Sequence, residues 1–399
     1  MPEDYIGLRV ARWRDIAGMT QQQLAAEIGV SREYISMIEN GKRAVTKRSM
    51  LIALASALKV SMMDLTAQPY LPRSRNELAL YAAVPAIRKA MDDDEPAAAR
   101  PAAQLAAEAD LAMRARMACD NPTLGILLPR LIAEIRSTAN AAGDDPASLR
   151  IAVQALVTGS LALKPQGHVD LAMRLAERAV RAAELSADPA CRAAAGYALA
   201  QAILATGLRK RSWSLARKAA EEIQPHLGTD ECRSWYGMLH LHAALSAASL
   251  SQIDVAEEHL TEAEETARHT TGDPWRMEFT PANVAVWRVG VVLENGEPAR
   301  APELARMVDQ TALRTPQRHA RLHMDAGRGF HAAKRNEEAV RAFLRAEKIA
   351  PHETRSRAAV REIIAHIARD SSPRGGSDEL RQLAVRMGID PLSPEEHRT

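Results

Sequence analysis

The chain has 399 residues, a length at which more than one hydrophobic core is the rule. Its formal net charge of +2 excludes a global field that would draw the whole molecule to nucleic acid or membrane, so any basic surface must be local. Aromatics make up only 4% of residues, and Ala and Leu are prominent while β-branched runs are scarce, which argues for packed helices: the expected fold class is all-α.

Cys119, Cys191 and Cys232 are widely spaced and form no CxxC pair, a pattern that suits neither a disulfide framework nor a zinc site. The start, "MPEDYIGLRV", carries acids where a signal peptide has a basic and then apolar segment. The longest apolar run lies within "RIAVQALVTGSLALK" and covers about 13 residues, fewer than the ~18 that span a bilayer. A cytoplasmic location is the expectation.

In "LRVARWRDIAGM", Val10, Trp13 and Ala17 fall at helical spacing, and Gly18 suits the left-handed residue that ends a helix. Thr20 opens "TQQQLAAEIG", where Thr20 and Gln23 have capping-box spacing. The second helix is short, because Gly29 supplies the positive φ of a tight turn and Ser31 caps a third helix that turns Ile35 and Ile38 inward. A bulky side chain at Ala25 would push the crossed helices apart. These are the proportions of a helix-turn-helix.

The residues "TQQQLAAEIGVSREYISMIENGKR", followed by "LIALASALKVSMMDL", resemble the Cro/phage-repressor class of bacterial regulators, the xenobiotic-response-element (XRE) family. The resemblance covers residues 7–66, about one sixth of the chain, and implies a five-helix lambda-repressor-like DNA-binding domain. It also implies that the third helix enters the major groove by its N-terminal half. There Arg32 can pair with guanine, Glu33 can accept from cytosine and Ser36 can serve either, next to the capping Ser31. Thr20 and Gln21, at the positive end of the second helix, suit a phosphate; the family implies the same for Asn40, and Lys42, Arg43, Lys47 and Arg48 can add charge. Met37 shares the face and could touch a thymine methyl, although a gap-filling role is the commoner one for Met. Lys59 departs from the family, which usually has Gly there; a side chain in that conformation costs roughly 1 kcal/mol or forces another turn.

Pro69 and Pro72 in "QPYLPRSRN" close the first domain, placed at residues 1–70. Residues 71–101 read as a linker with one helix, "ELALYAAVPAIRKAMDD", which Pro85 can kink, followed by the hinge "DDDEPAAARP". From 102 to 399 helix follows helix. Segments starting at Asp170, Ser212, Asp254, Ala299 and Glu337 look alike and recur at about 40 residues, against 34 in a tetratricopeptide repeat. The stretch resembles a divergent tetratricopeptide (TPR) array, which implies a TPR-like α-solenoid with a concave binding surface, acting as a sensor or dimerisation domain.

The first helix of each pair is expected to face the concavity. The uncommon residues there, Trp235, Tyr236, His240, Asn283, Trp287 and Arg321, are the candidate ligand contacts for a peptide or small molecule. Trp235 and Trp287 are more often packing residues between repeats, and histidines more often exposed or paired locally. His319 and His323 are four apart but lack a third ligand, so no metal or other cofactor is expected. No GxxxxGK[ST], GxSxG or HExxH occurs, and every motif found has a non-enzymatic explanation. The sequence therefore reads as a DNA-binding transcriptional regulator whose array binds an effector or dimerises. It resembles actinobacterial XRE regulators with repeat-containing C-terminal regions and, more loosely, the peptide-responsive regulators of other Gram-positive bacteria. The expected partners are double-stranded DNA, in the form of an inverted repeat, and a second copy of the chain. The alternative is a TPR-type interaction scaffold whose DNA contact is incidental.

Overall fold

A computed structural model describes residues 5–92, 100–142, 145–370 and 377–389. Among them every regular element is helical. The first domain comprises α1 (Ile6–Ile16), α2 (Gln21–Ile28), α3 (Arg32–Glu39), α4 (Arg48–Leu58) and α5 (Met62–Thr66). Its boundaries follow local chemistry. Gly18 takes φ 66°, Thr20 and Gln23 form the capping box, Gly29 takes φ 71°, and the Ser31 hydroxyl accepts from the Tyr34 amide. Lys59 does adopt the left-handed conformation, at φ 57°, and its N–H bonds back to Ala55 and Ser56 as a glycine cap would. Val10, Leu24, Ala25, Ile35, Ile38, Leu54 and Leu65 form a core separate from the rest of the molecule.

The segment expected to be a linker contains α6 (Arg75–Asp92), and this helix is built into the array. Leu80, Val84, Ile87 and Met91 make a buried stripe at helical spacing that joins the array's main core, with Pro85 inside the helix. The hinge beyond it lies almost wholly outside the described residues. Next come α7 (Ala102–Met117) and α8 (Asn121–Ala142).

Five antiparallel pairs follow: α9 (Pro146–Leu163) with α10 (Val169–Ser186), α11 (Pro189–Ala205) with α12 (Arg209–Ile223), and α13 (Asp230–Ser249) with α14 (Ile253–Arg268). Then come α15 (Pro281–Glu294) with α16 (Ala301–Met307), and α17 (Pro316–Ala332) with α18 (Asn336–Ile349). The chain closes with α19 (Pro351–Ser356), α20 (Ala358–Asp370) and α21 (Asp378–Met387). The architecture is a TPR-like α-solenoid. First helices such as α9, α11 and α13 are buried nearly all round, whereas α10, α12 and α14 keep a charged outer face, so the former make the inner layer. The repeat expected from Ala299 is only partly regular, because Pro298 and Pro302 leave a seven-residue helix behind a 3₁₀ turn. One further difference concerns hydropathy. Pro146–Gln166 is long and apolar enough to cross a membrane, but 72% of it is buried within the protein, as expected for the central helix of a packed array.

Candidate DNA interface and interdomain cavity

The helix-turn-helix is held by one carboxylate. Glu39 on α3 accepts from Arg14 Nε on α1 at 2.6 Å and from Gln21 Nε2 on α2 at 2.8 Å, while the Tyr5 hydroxyl donates to the Glu39 carbonyl at 2.6 Å. The Gln21 side chain is therefore engaged inside the domain. Thr20, Ser31, Arg32, Glu33, Asn40, Lys42 and Arg43 are exposed, and Ser36 is half-buried. Asn40 Nδ2 donates to the Ser36 carbonyl at 2.9 Å and to its hydroxyl at 3.2 Å, which presets both side chains on one face. Arg43 lies over the Tyr34 ring, 4.4 Å from its centroid. Met37 is 40% exposed on the same helix and fills no core gap; Ile35 and Ile38 take the fully buried apolar positions, with Tyr34 packed beside them. Lys47 stands apart: its Nζ lies 4.0 Å from where a Cβ on Gly296 would be, so it faces the array.

Residues 10–65 match the helix-turn-helix family. Over 60 residues the chain is 40% identical to the HTH-type transcriptional regulator y4dJ of Sinorhizobium fredii, a match spanning 15% of this chain and 77% of that one. The chain belongs to the helix-turn-helix transcriptional regulators. Among solved structures, BtubC from P. vanneervenii is similar at TM-score 0.39 and 16% identity, over 63% of this regulator and 92% of its own chain. PlcR from Bacillus thuringiensis, solved with the peptide PapR7 and DNA, gives TM-score 0.29 and 12% identity over 90% and 99% of the two chains. ComR from Streptococcus suis gives 0.30 and 13% over 90% and 94%. Likenesses of that strength say nothing about ligand or mechanism.

The regulator's DNA-binding domain docks on the array through the start of α1 and the loop from Gly41 to Arg48. The Glu362 carboxylate on α20 accepts from the Ile6 amide at 3.1 Å and the Val45 amide at 3.5 Å. His366 Nδ1 donates to the Gly41 carbonyl at 3.0 Å, and Arg369 stacks 4.0 Å from the Tyr5 ring centroid. Arg328 donates to the Thr46 carbonyl and to Glu294, both at 3.2 Å, and Glu294 accepts the Arg48 amide at 3.2 Å. Gln68 Nε2 donates to the Ser356 carbonyl at 3.0 Å. Burial pushes the Glu362 carboxyl above the usual carboxylate range, partly offset by the two amides it accepts. Arg32 and Glu33, at the start of α3, remain exposed in this docked arrangement.

Between the two bodies lies a cavity of about 320 Å³. Arg48, Leu51, Met62 and Gln68 of the DNA-binding domain wall one side, and Lys164, Leu245, Trp287, Arg321 and Arg357 of the array wall the other. Two of the six candidate ligand residues, Trp287 and Arg321, line it; the other four lie elsewhere. Trp235 is sandwiched between Tyr197 and Trp275 in the core. The Tyr236 hydroxyl donates to Glu262 at 2.9 Å, and His240 meets His259 at 3.2 Å, where burial pushes His240 down to about 3. Asn283 is fully buried, with Nδ2 donating to the Glu278 carbonyl at 2.8 Å, so it holds a local turn. No metal-binding cluster occurs among the described residues.

Arg48, Gln201 and Arg357 on the cavity wall were not anticipated as ligand contacts. The available signal was Arg48 itself, a cation at the first turn of a helix, where the dipole disfavours it unless something else holds it.

Proposed function

We propose that this regulator reads a specific operator with α3 and that a small molecule in the interdomain cavity sets how the DNA-binding domain sits on the array. Arg32, Glu33, Ser36 and Met37 read bases. Thr20, Ser31, Asn40, Lys42, Arg43 and the backbone N–H of Gln21 contact phosphates. Residues 1–70 form the DNA-reading unit. Two copies of the chain bind an inverted repeat in the cytoplasm, with their recognition helices about one DNA turn apart.

The observation that carries the regulatory half is that both bodies contribute walls to one cavity. A ligand bound there contacts both, so its affinity depends on their relative position, and by linkage it alters operator affinity by the same factor that DNA alters ligand affinity. A volume of about 320 Å³ is at the small end of ligand pockets and fits a small molecule better than an extended peptide. The test begins with selection of bound genomic fragments to define the operator. Titration at several salt concentrations follows, with and without small molecules that co-purify with the full chain. Steep salt dependence on a short inverted repeat, and a ligand-dependent shift in affinity, are expected. Weak binding equal on all sequences would overturn the reading.

A further inference from the structure

The chemistry of the cavity wall selects its ligand. Lys and Arg outnumber Asp and Glu in the lining by eight to three. The three carboxylates are already engaged: Asp325 with Arg321 and Arg328, Glu353 with Arg357, and Glu294 with Arg328 and the Arg48 amide. Lys164 reaches only the neutral Gln201 side chain. Arg116 and Arg318, 7% and 8% exposed, donate to backbone carbonyls of the 276–277 turn, and the Nε of each is buried without a partner. The Nε of Arg48 and the indole N–H of Trp287 are likewise buried without partners.

Burial first, then repulsion from Arg357, Arg48 and Arg321, makes Lys164 harder to protonate; burial first, then repulsion from Arg328, Arg321 and Arg357, does the same to Arg48, against the attraction of Glu294. Such a cluster is costly unless an anion enters it. Leu51, Met62, Leu204, Leu245, Val286 and Trp287 give the wall an apolar stretch beside these cations.

We propose that the cavity binds a small organic anion, a carboxylate or phosphate monoester on an apolar body, with Arg48 and Lys164 holding the anionic end. This rests on the reading of the cavity as the regulatory site. Arg48 belongs to α4 and Lys164 to the array, so the anion bridges the two bodies and tightens their docking. Neutral ligands of the same shape leave the cation cluster without a counter-charge and bind less well.

The experiment uses the full chain and two fluorescent naphthalene probes, anionic 8-anilinonaphthalene-1-sulfonate and uncharged N-phenyl-1-naphthylamine, at fixed ionic strength. One anionic probe per chain is expected to bind, at least tenfold more tightly than the neutral one. Lys164→Gln and Arg48→Gln are each expected to cut that preference about tenfold, and circular dichroism melts verify that the variants remain folded. Equal affinity for the two probes, an unchanged preference in the variants, or no binding of the anionic probe would each overturn the proposal. Operator affinity measured alongside separates the two claims. A neutral probe that binds equally well and shifts operator affinity sinks the anion assignment alone. An anionic probe that binds with the expected charge dependence but leaves operator affinity unchanged upholds the anion site and sinks the regulatory reading.

Discussion

The Glu362 carboxylate accepts the backbone N–H of Ile6 at 3.1 Å, joining the last third of the chain to its first helix. The same group reaches the Val45 amide, so a single buried side chain on α20 secures both the start of α1 and the loop before α4. Glu362→Leu leaves two buried N–H groups without an acceptor, at a cost of roughly 1–3 kcal/mol each. Amide exchange at Ile6 and Val45 should accelerate in the leucine variant, whereas Glu362→Gln, which keeps a carbonyl acceptor, should retain most of the protection. Unchanged exchange in Glu362→Leu would show that docking does not depend on this carboxylate.

Gly7 lies where α1 crosses the end of α3, and a Cβ there would sit 1.8 Å from the Ile38 carbonyl oxygen. That oxygen is backbone and cannot rotate away, so Gly7→Ala must shift α1 or the recognition helix. Overpacking of this kind costs on the order of 1–3 kcal/mol. Thermal unfolding should show the first domain melting earlier, with weaker operator binding. A variant that melts and binds like the parent would mean that α1 slides without disturbing α3.

What was legible in the sequence was local. Thr20 with Gln23, Gly29 and Ser31 act within three or four residues of themselves, and each adopts the expected conformation. Helix pairing was legible from the amphipathic outer helices, yet a sharper sign went unread: Asp145, Asp188, Thr280 and Thr315 each cap an inner helix whose next residue is proline. The cavity was not legible, because it brings Arg48 together with Lys164, Arg321 and Arg357, which no periodicity connects. Rarity singled out Trp235 and Asn283, but rarity does not say which way a side chain points, and both turn into the core. Glu362 reads in the sequence as one more acid on an amphipathic helix.

Lys164 sets a pH dependence of stability. Burial first, then repulsion from Arg357, Arg48 and Arg321, lowers its ammonium from 10.5 to about 7. The folded state therefore holds fewer protons than the unfolded chain between those values, and stability rises with pH across that window. The penalty is fully present below about 7. Lys164→Met removes it, so the variant should be more stable than the parent at pH 7, with the difference shrinking toward pH 10. Urea unfolding of both proteins at a series of pH values reads this directly; a difference that grows with pH would reverse the assignment.

The DNA face should divide into residues that select sequence and residues that hold phosphate. Arg32 is exposed at the first turn of α3, where a guanine opposite would receive two hydrogen bonds, so Arg32→Ala should cost roughly 1–3 kcal/mol and relax preference at one base position. Lys42 is exposed just beyond the end of the same helix, and Lys42→Ala should weaken binding on all sequences alike and reduce the salt slope by about 1. Binding of each variant to a panel of single-base operator variants at several salt concentrations separates the two effects, since base readout changes the ranking of sequences and phosphate contact changes only their common level. If both variants lost affinity equally on every sequence, Arg32 would be a phosphate contact and base recognition would have to fall to Glu33 and Ser36.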